Sequence, residues 1–205
     1  MGLIDNIKSK AKEELRTIVL PESEDERVLK ATEQVLNDKT AKVILIGNED
    51  TIKADAKACG ANIEGAKIID PKSFDGIERY VEELVQLRKS KGLTKEEATE
   101  IMTTEPRFFG CMMVRLGEAD GLVAGSSSPT ADVLRAAIQV IKTAPGINTV
   151  SSTFIMETAD GKFGDNGLIL FADCAVNPEP NAEQLADIAS ATAATAASVV
   201  GLEPR

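Results

Sequence analysis

The sequence contains no histidine. That absence removes the commonest general base, every Ser-His or Cys-His nucleophile and most zinc sites. Tryptophan is also missing and aromatic residues make up only 3% of the chain, which leaves little for nucleic-acid bases to stack on. A formal net charge of −10 points the same way, because a phosphate backbone is held by cations. The three cysteines, Cys59, Cys111 and Cys174, are odd in number and have no metal-ligand spacing. They read as buried thiols in a reducing cytoplasm. No apolar run approaches membrane-spanning length, and the charged opening MGLIDNIKSKAKEEL lacks the form of a signal peptide. The expectation is a cytoplasmic protein with no metal, nucleic-acid partner or membrane contact.

What is present is an ordinary globular composition, 43% hydrophobic and 27% charged over 205 residues. That suffices for one large domain, or for one domain and part of a second. Leu3, Ile4, Ile7, Ala11 and Leu15 fall at helical spacing, and Thr17 to Leu20 is a β-branched strand. PESEDER opens a second helix at Ser23 or Glu24, its acids reading as capping chemistry. KVILI (42–46) is a strand, followed by a helix over 49–59 and a strand over 67–69. This alternation predicts α/β class, a mostly parallel sheet flanked by helices in three layers, α/β/α. A helix over 77–89 ends in RKSKG, where Arg88, Lys89 and Lys91 offset the negative helix end before Gly92. Thr94 with Glu97 forms a capping box, and Pro106 starts a further helix through Leu116.

Residues 119–143 organise the rest. Leu122, Val123 and Ala124, bounded by Gly121 and Gly125, have the pattern of a strand buried on both faces. Ser128 is then the expected N-cap, Pro129 the first helical residue and Asp132 an acid in the first turn. The free amides of that helix start, with the hydroxyls of Ser126, Ser127, Ser128 and Thr130, make a candidate anion site. Arg135 fits two readings. Its side chain can reach over the preceding turn toward an anion, or it is a solvated i,i+3 partner of Asp132 on the polar stripe of Asp132, Arg135, Gln139 and Lys142.

Pro145-Gly146 breaks the chain, and a domain boundary is placed there, giving domains 1–146 and 147–205. Strands over 150–156 and 168–171 follow, fit to pair antiparallel, and then Asp173. Asp173 reads equally as a turn carboxylate or as a ligand group at a strand end. Asn181 and Gln184 cap an alanine-rich helix running to Val200. Such a helix needs a sheet to bury against, so the second domain is expected to be incomplete and the chain a fragment. No G-x-G-x-x-G follows a strand, and GSSSPT lacks the P-loop lysine.

The segments LPESEDERVLKA, LRKSKG, FFGCMMVRLGEADGLVAGSSSPTADVLRAAIQVIKT and LILFADCAVNPEPNAEQLADIA closely resemble the phosphate acetyl/butyryltransferase family. That resemblance runs the length of the chain. It implies a two-domain, isocitrate/isopropylmalate-dehydrogenase-like architecture. The implied activity is reversible transfer of an acetyl group between coenzyme A and phosphate, by direct thiol attack on acetyl phosphate in a cleft between the domains. Arg135 and Arg88 match family arginines associated with coenzyme A or phosphate, and by position Ser126, Ser127, Ser128 and Thr130 face the acetyl phosphate end. The family's Ser-Arg pair and basic aspartate lie in a C-terminal segment without counterpart here, so no catalytic residue is assigned. Coenzyme A enters as substrate, no cofactor is covalently bound, and a homodimer is implied. Butyryl transfer and a non-catalytic coenzyme A or phosphate-binding domain are the alternatives; a dinucleotide-dependent dehydrogenase lacks its fingerprint.

Overall fold

The structure is a computed structural model that describes residues 2–205. Two compact units are present, one of residues 9–142 and one of residues 1–8 with 143–205. In the first, β1 (Thr17–Leu20), β2 (Lys42–Ile46), β3 (Lys67–Ile69) and β4 (Gly121–Leu122) form a parallel sheet in the order β3-β2-β1-β4. The helices are α1 (Leu3–Glu13, which straddles the division between the units), α2 (Glu26–Asp38), α3 (Glu49–Cys59), α4 (Ile77–Leu87), α5 (Lys95–Thr104), α6 (Pro106–Arg115) and α7 (Thr130–Val140).

Alternation along the strands sorts their side chains into two cores. Val43 and Leu45 pack with Leu29 of α2 and with Ile52 and Ala56 of α3 on one face. Val19, Ile44, Ile46 and Ile69 pack on the other face with Tyr80, Met102, Phe109, Ala136 and Val140, drawn from α4 to α7. The expected three layers are thus realised. Because β2 and β3 lie to one side of β1 and β4 to the other, α2 and α7 leave the sheet on opposite faces. The strand order reverses between β1 and β4, the kind of switch point at whose carboxyl ends open α/β sheets bind ligands.

Several local expectations need correction. The run 122–124 is not a strand buried on both faces: β4 is two residues long, lies at the sheet edge, and leaves Val123 63% exposed. With one flank unpaired, the chain turns away at once. The second helix starts neither at Ser23 nor at Glu24, since Asp25 is its N-cap and accepts from the Arg27 amide at 2.8 Å. Ser23 is buried instead, donating to the Leu20 carbonyl at 3.1 Å and accepting from the Ile46 amide at 3.0 Å, so it ties β1 to β2. Of the cysteines only Cys111 is buried; Cys59 and Cys174 are partly exposed.

In the second unit, β5 (Thr153–Glu157) and β6 (Leu168–Ala172) pair antiparallel. Asn181 and Gln184 cap α8 (Ala182–Thr195) reciprocally, and one wide turn carries it on to Val200. No helix among the described residues is long and apolar enough to cross a membrane.

Gly110 lets α6 lie close on β1 and β4: a Cβ there would stand 2.7 Å from Leu122 Cδ1 and 2.9 Å from Val19 Cγ1. Gly110→Ala gains helix propensity worth about 1 kcal/mol, yet overpacks a core contact at a cost of about 1–3 kcal/mol. Net destabilisation in thermal or urea unfolding is the expected result, and a stabilised variant would show that the layers separate freely.

Candidate functional site

Parallel pairing of β1 with β4 sets Ile18 beside Gly121 and Val19 beside Leu122. The two strands therefore end together, and Leu20-Pro21-Glu22 emerges next to Val123-Ala124-Gly125. Glu22, 4% exposed, turns its carboxylate into the serine loop. Oε2 accepts from the amides of Gly125 (2.8 Å) and Ser126 (2.7 Å), and Oε1 from those of Ser127 (3.2 Å) and Ser128 (2.7 Å). Four successive amides thus converge on one anion, in the manner of a backbone nest. Gly125, at φ +111°, supplies the turn conformation this requires.

Burial alone would raise the Glu22 pKa. The Ser128 hydroxyl and the amides of Ser126, Gly125 and Ser128 outweigh it, bringing the carboxyl from its ordinary 4.5 down to about 2. The serine hydroxyls are engaged as well. Ser126 donates to Asp25 at 2.9 Å, Ser127 donates to Glu24 at 3.3 Å, and Ser128 accepts from Arg107 Nη1 at 3.0 Å. Arg27 chelates Asp25 and donates to the Ser126 carbonyl at 2.6 Å. That pairing, with help from the Arg27 amide and the Ser126 hydroxyl, holds Asp25 well below the usual carboxylate range.

Ser128 is not the N-cap of α7. Its amide is committed to Glu22 and its hydroxyl to Arg107, so Pro129 takes the cap position and its carbonyl accepts from Asp132 and Val133. Thr130 is exposed, and its hydroxyl has no partner among the described residues. Arg135 pairs with Asp132 at 3.1 Å, the i,i+3 contact, and remains 59% exposed. Arg107 approaches the same Asp132 at 3.9 Å and bonds Glu105 at 2.7 Å, with its side chain 22% exposed. Two guanidinium groups therefore flank the first turn of α7.

Arg88 lies elsewhere. It is the C-cap of α4, partly buried, and its guanidinium makes no hydrogen bond or ion pair among the described residues, the serine loop included. Asp173, in the other unit, accepts from Ser152 and from the amides of Ala175 (2.9 Å), Val176 (3.1 Å) and Asn177 (3.0 Å). Burial opposes its ionisation, but these donors prevail and hold it well below the usual carboxylate range. Its carboxylate fastens the turn after β6. A cavity of 750 Å³ beside β6 and α8 has Leu168, Ile169, Leu170, Leu185 and Ile188 in its lining, with Arg205 its one cation against Asp165 and Glu203. It is an aliphatic surface rather than an anion cradle. Among the described residues no group of three or more histidine, cysteine or carboxylate side chains is arranged to hold a metal.

Glu22 and Arg107 are the residues of this candidate site that sequence reasoning missed. Arg107 carried a legible signal, since it occupies the first turn of a helix, where the dipole disfavours a cation. Glu22 carried a weaker one: it stands just past the end of β1, outside the helix that the other acids cap.

The chain matches the family model described as phosphate acetyl/butaryl transferase over residues 2–205. It is 49% identical over its whole length to a phosphate acetyltransferase of Thermoanaerobacterium thermosaccharolyticum, covering 62% of that protein, and 43% identical to one of Acetivibrio thermocellus, covering 61%. Among solved structures it superposes on a phosphotransacetylase from Staphylococcus aureus with a TM-score of 0.85 at 36% identity, covering 96% of this chain and 57% of that one. A phosphotransacetylase from Streptococcus pyogenes gives 0.87 at 34%, covering 95% of this chain and 57% of that one. The chain spans about three fifths of the length of these relatives.

The Glu22 carboxyl, ordinarily at 4.5, sits near 2 when folded. Its ionised form therefore contributes stability that is complete above pH 4.5 and lost as the pH falls toward 2. Glu22→Gln is expected to unfold more easily at pH 7 by about 3 kcal/mol, with the gap to the parent closing below pH 4.5. A gap of constant size from pH 7 to pH 3 in urea titrations would count against the nest.

Proposed function

Since the chain belongs to the phosphate acetyl/butaryl transferase family, we propose that the protein moves an acetyl group reversibly between coenzyme A and phosphate. The observation that carries this reading is the pair of guanidinium groups, Arg107 and Arg135, at the mouth of α7 beside the serine loop. Acetyl phosphate and coenzyme A are polyanions, and a planar guanidinium takes two phosphate oxygens at once without any need for histidine. In an acidic chain such cations must act locally.

In the forward direction the coenzyme A sulfur attacks the acetyl carbon. The carbonyl π bond opens to a tetrahedral oxyanion, the bond to the phosphate oxygen breaks, and phosphate departs with the electron pair. The thiol, at an ordinary pKa of about 8.5, must first give its proton to a base. Donors aimed at the oxyanion and the departing phosphate contribute about 3 kcal/mol each. In this reading Thr130, Arg107 and Arg135 take the phosphate end, Ser126, Ser127 and Ser128 shape the loop behind it, and Arg88 is assigned to coenzyme A. Asp173 is left to its turn. A homodimer and a cytoplasmic location belong to the same proposal. The relatives' names favour acetyl over butyryl as the transferred group.

Transfer by the chain joined to the family's C-terminal segment should be measured with acetyl and butyryl phosphate as alternative donors. Coenzyme A-dependent release of phosphate, faster from the acetyl donor, is expected. Coenzyme A binding in calorimetry without turnover would reduce the reading to a binding domain. Arg135→Ala should raise the KM for phosphate or coenzyme A by about tenfold or more, and unchanged kinetics for both would remove Arg135 from the site.

A further inference from the structure

The loop 125–128 has the form of an anion cradle, and it is already filled from within. Both oxygens of Glu22 accept two amides each, its side chain is 4% exposed, and all three serine hydroxyls are bonded to Asp25, Glu24 or Arg107. A substrate phosphate seated on these amides would have to expel a buried carboxylate or lie against it, with Glu24 and Asp25 alongside. Like charges at such separations repel strongly wherever water is scarce. One turn further on, the balance reverses. The amides of Thr130 and Ala131 have no partner among the described residues, the Thr130 hydroxyl is exposed, and Arg107 and Arg135 stand on either side of Asp132. Arg107 is oriented there by Ser128, whose amide is in turn fixed by Glu22.

We infer that Glu22 is a positioning residue of the phosphate site: a resident carboxylate that occupies the amides of 125–128, and through Ser128 sets Arg107 to receive the substrate's phosphate together with Arg135. The inference rests on the acetyl-transfer reading for the identity of the ligand, and on the loop geometry alone for the role of Glu22. It also states what the loop amides do not do, which is to hold the substrate.

The test empties the nest with Glu22→Ala and offers formate as a substitute carboxylate. Formate is expected to raise the thermal midpoint of the variant saturably and to leave the parent unmoved. The KM for phosphate should rise about tenfold with a smaller change in kcat, and formate should bring it back, whereas a purely packing role would give no carboxylate rescue. No effect of formate on the folded variant overturns the inference. So does tighter binding of inorganic phosphate by the variant than by the parent in calorimetry, because the amides would then be the substrate's seat and Glu22 a plug. Should Glu22→Ala not fold, Glu22→Gln keeps the volume without the charge. It should show the same rise in phosphate KM with no response to formate, and an unchanged KM overturns the inference. The midpoint measurement needs no turnover. Absence of transfer by the unsubstituted chain joined to the family's C-terminal segment would therefore strike the acetyl-transfer reading, while the formate response still decides the role of Glu22.

Discussion

A buried negative charge at the carboxyl ends of two neighbouring parallel strands is the constraint on which the site depends. An isolated carboxylate taken out of water is costly, and it survives only where donors replace its hydration. Here Gly125, Ser126, Ser127 and Ser128 supply them. Once those four amides are committed, the path of the loop, the place where α7 begins and the direction of the Ser128 hydroxyl follow. The ends of β1 and β4 are locked together at the point where the sheet reverses its order.

Beside that lock an acidic chain gathers three arginines. Arg27, Arg107 and Arg135 each pair with a carboxylate of the same neighbourhood, so none is an uncompensated charge. The exposed pairs contribute little to stability in water. Their value is geometric: Asp25, Glu105 and Asp132 hold the side chains in place. The close approach of α6 at Gly110 serves the same end, because Arg107 is carried one turn upstream on that helix.

Patterns within ten or so residues were well expressed in the sequence. The capping boxes at Thr94 and Asn181 form as their spacing requires, β2 is KVILI, and the antiparallel pair after residue 150 is present. The misreadings share a cause. Ser128 looks like an N-cap because it precedes Pro129 at a helix start, but Glu22 beyond β1 claims its amide and Arg107 of α6 its hydroxyl. Val123 looks like core because it is apolar and flanked by apolar neighbours, but strand order puts it at an edge. Ser23 looks like a helix start and is instead a buried tie between strands.

The sequence by itself determined the class of the fold, most of its elements and the absence of histidine, because periodicity, caps and composition act locally. Only the tertiary structure decided which anion the serine loop holds and which guanidinium groups gather beside it. Glu22 and its amide partners are 103 to 106 positions apart, and nothing short of parallel strand pairing brings them into contact.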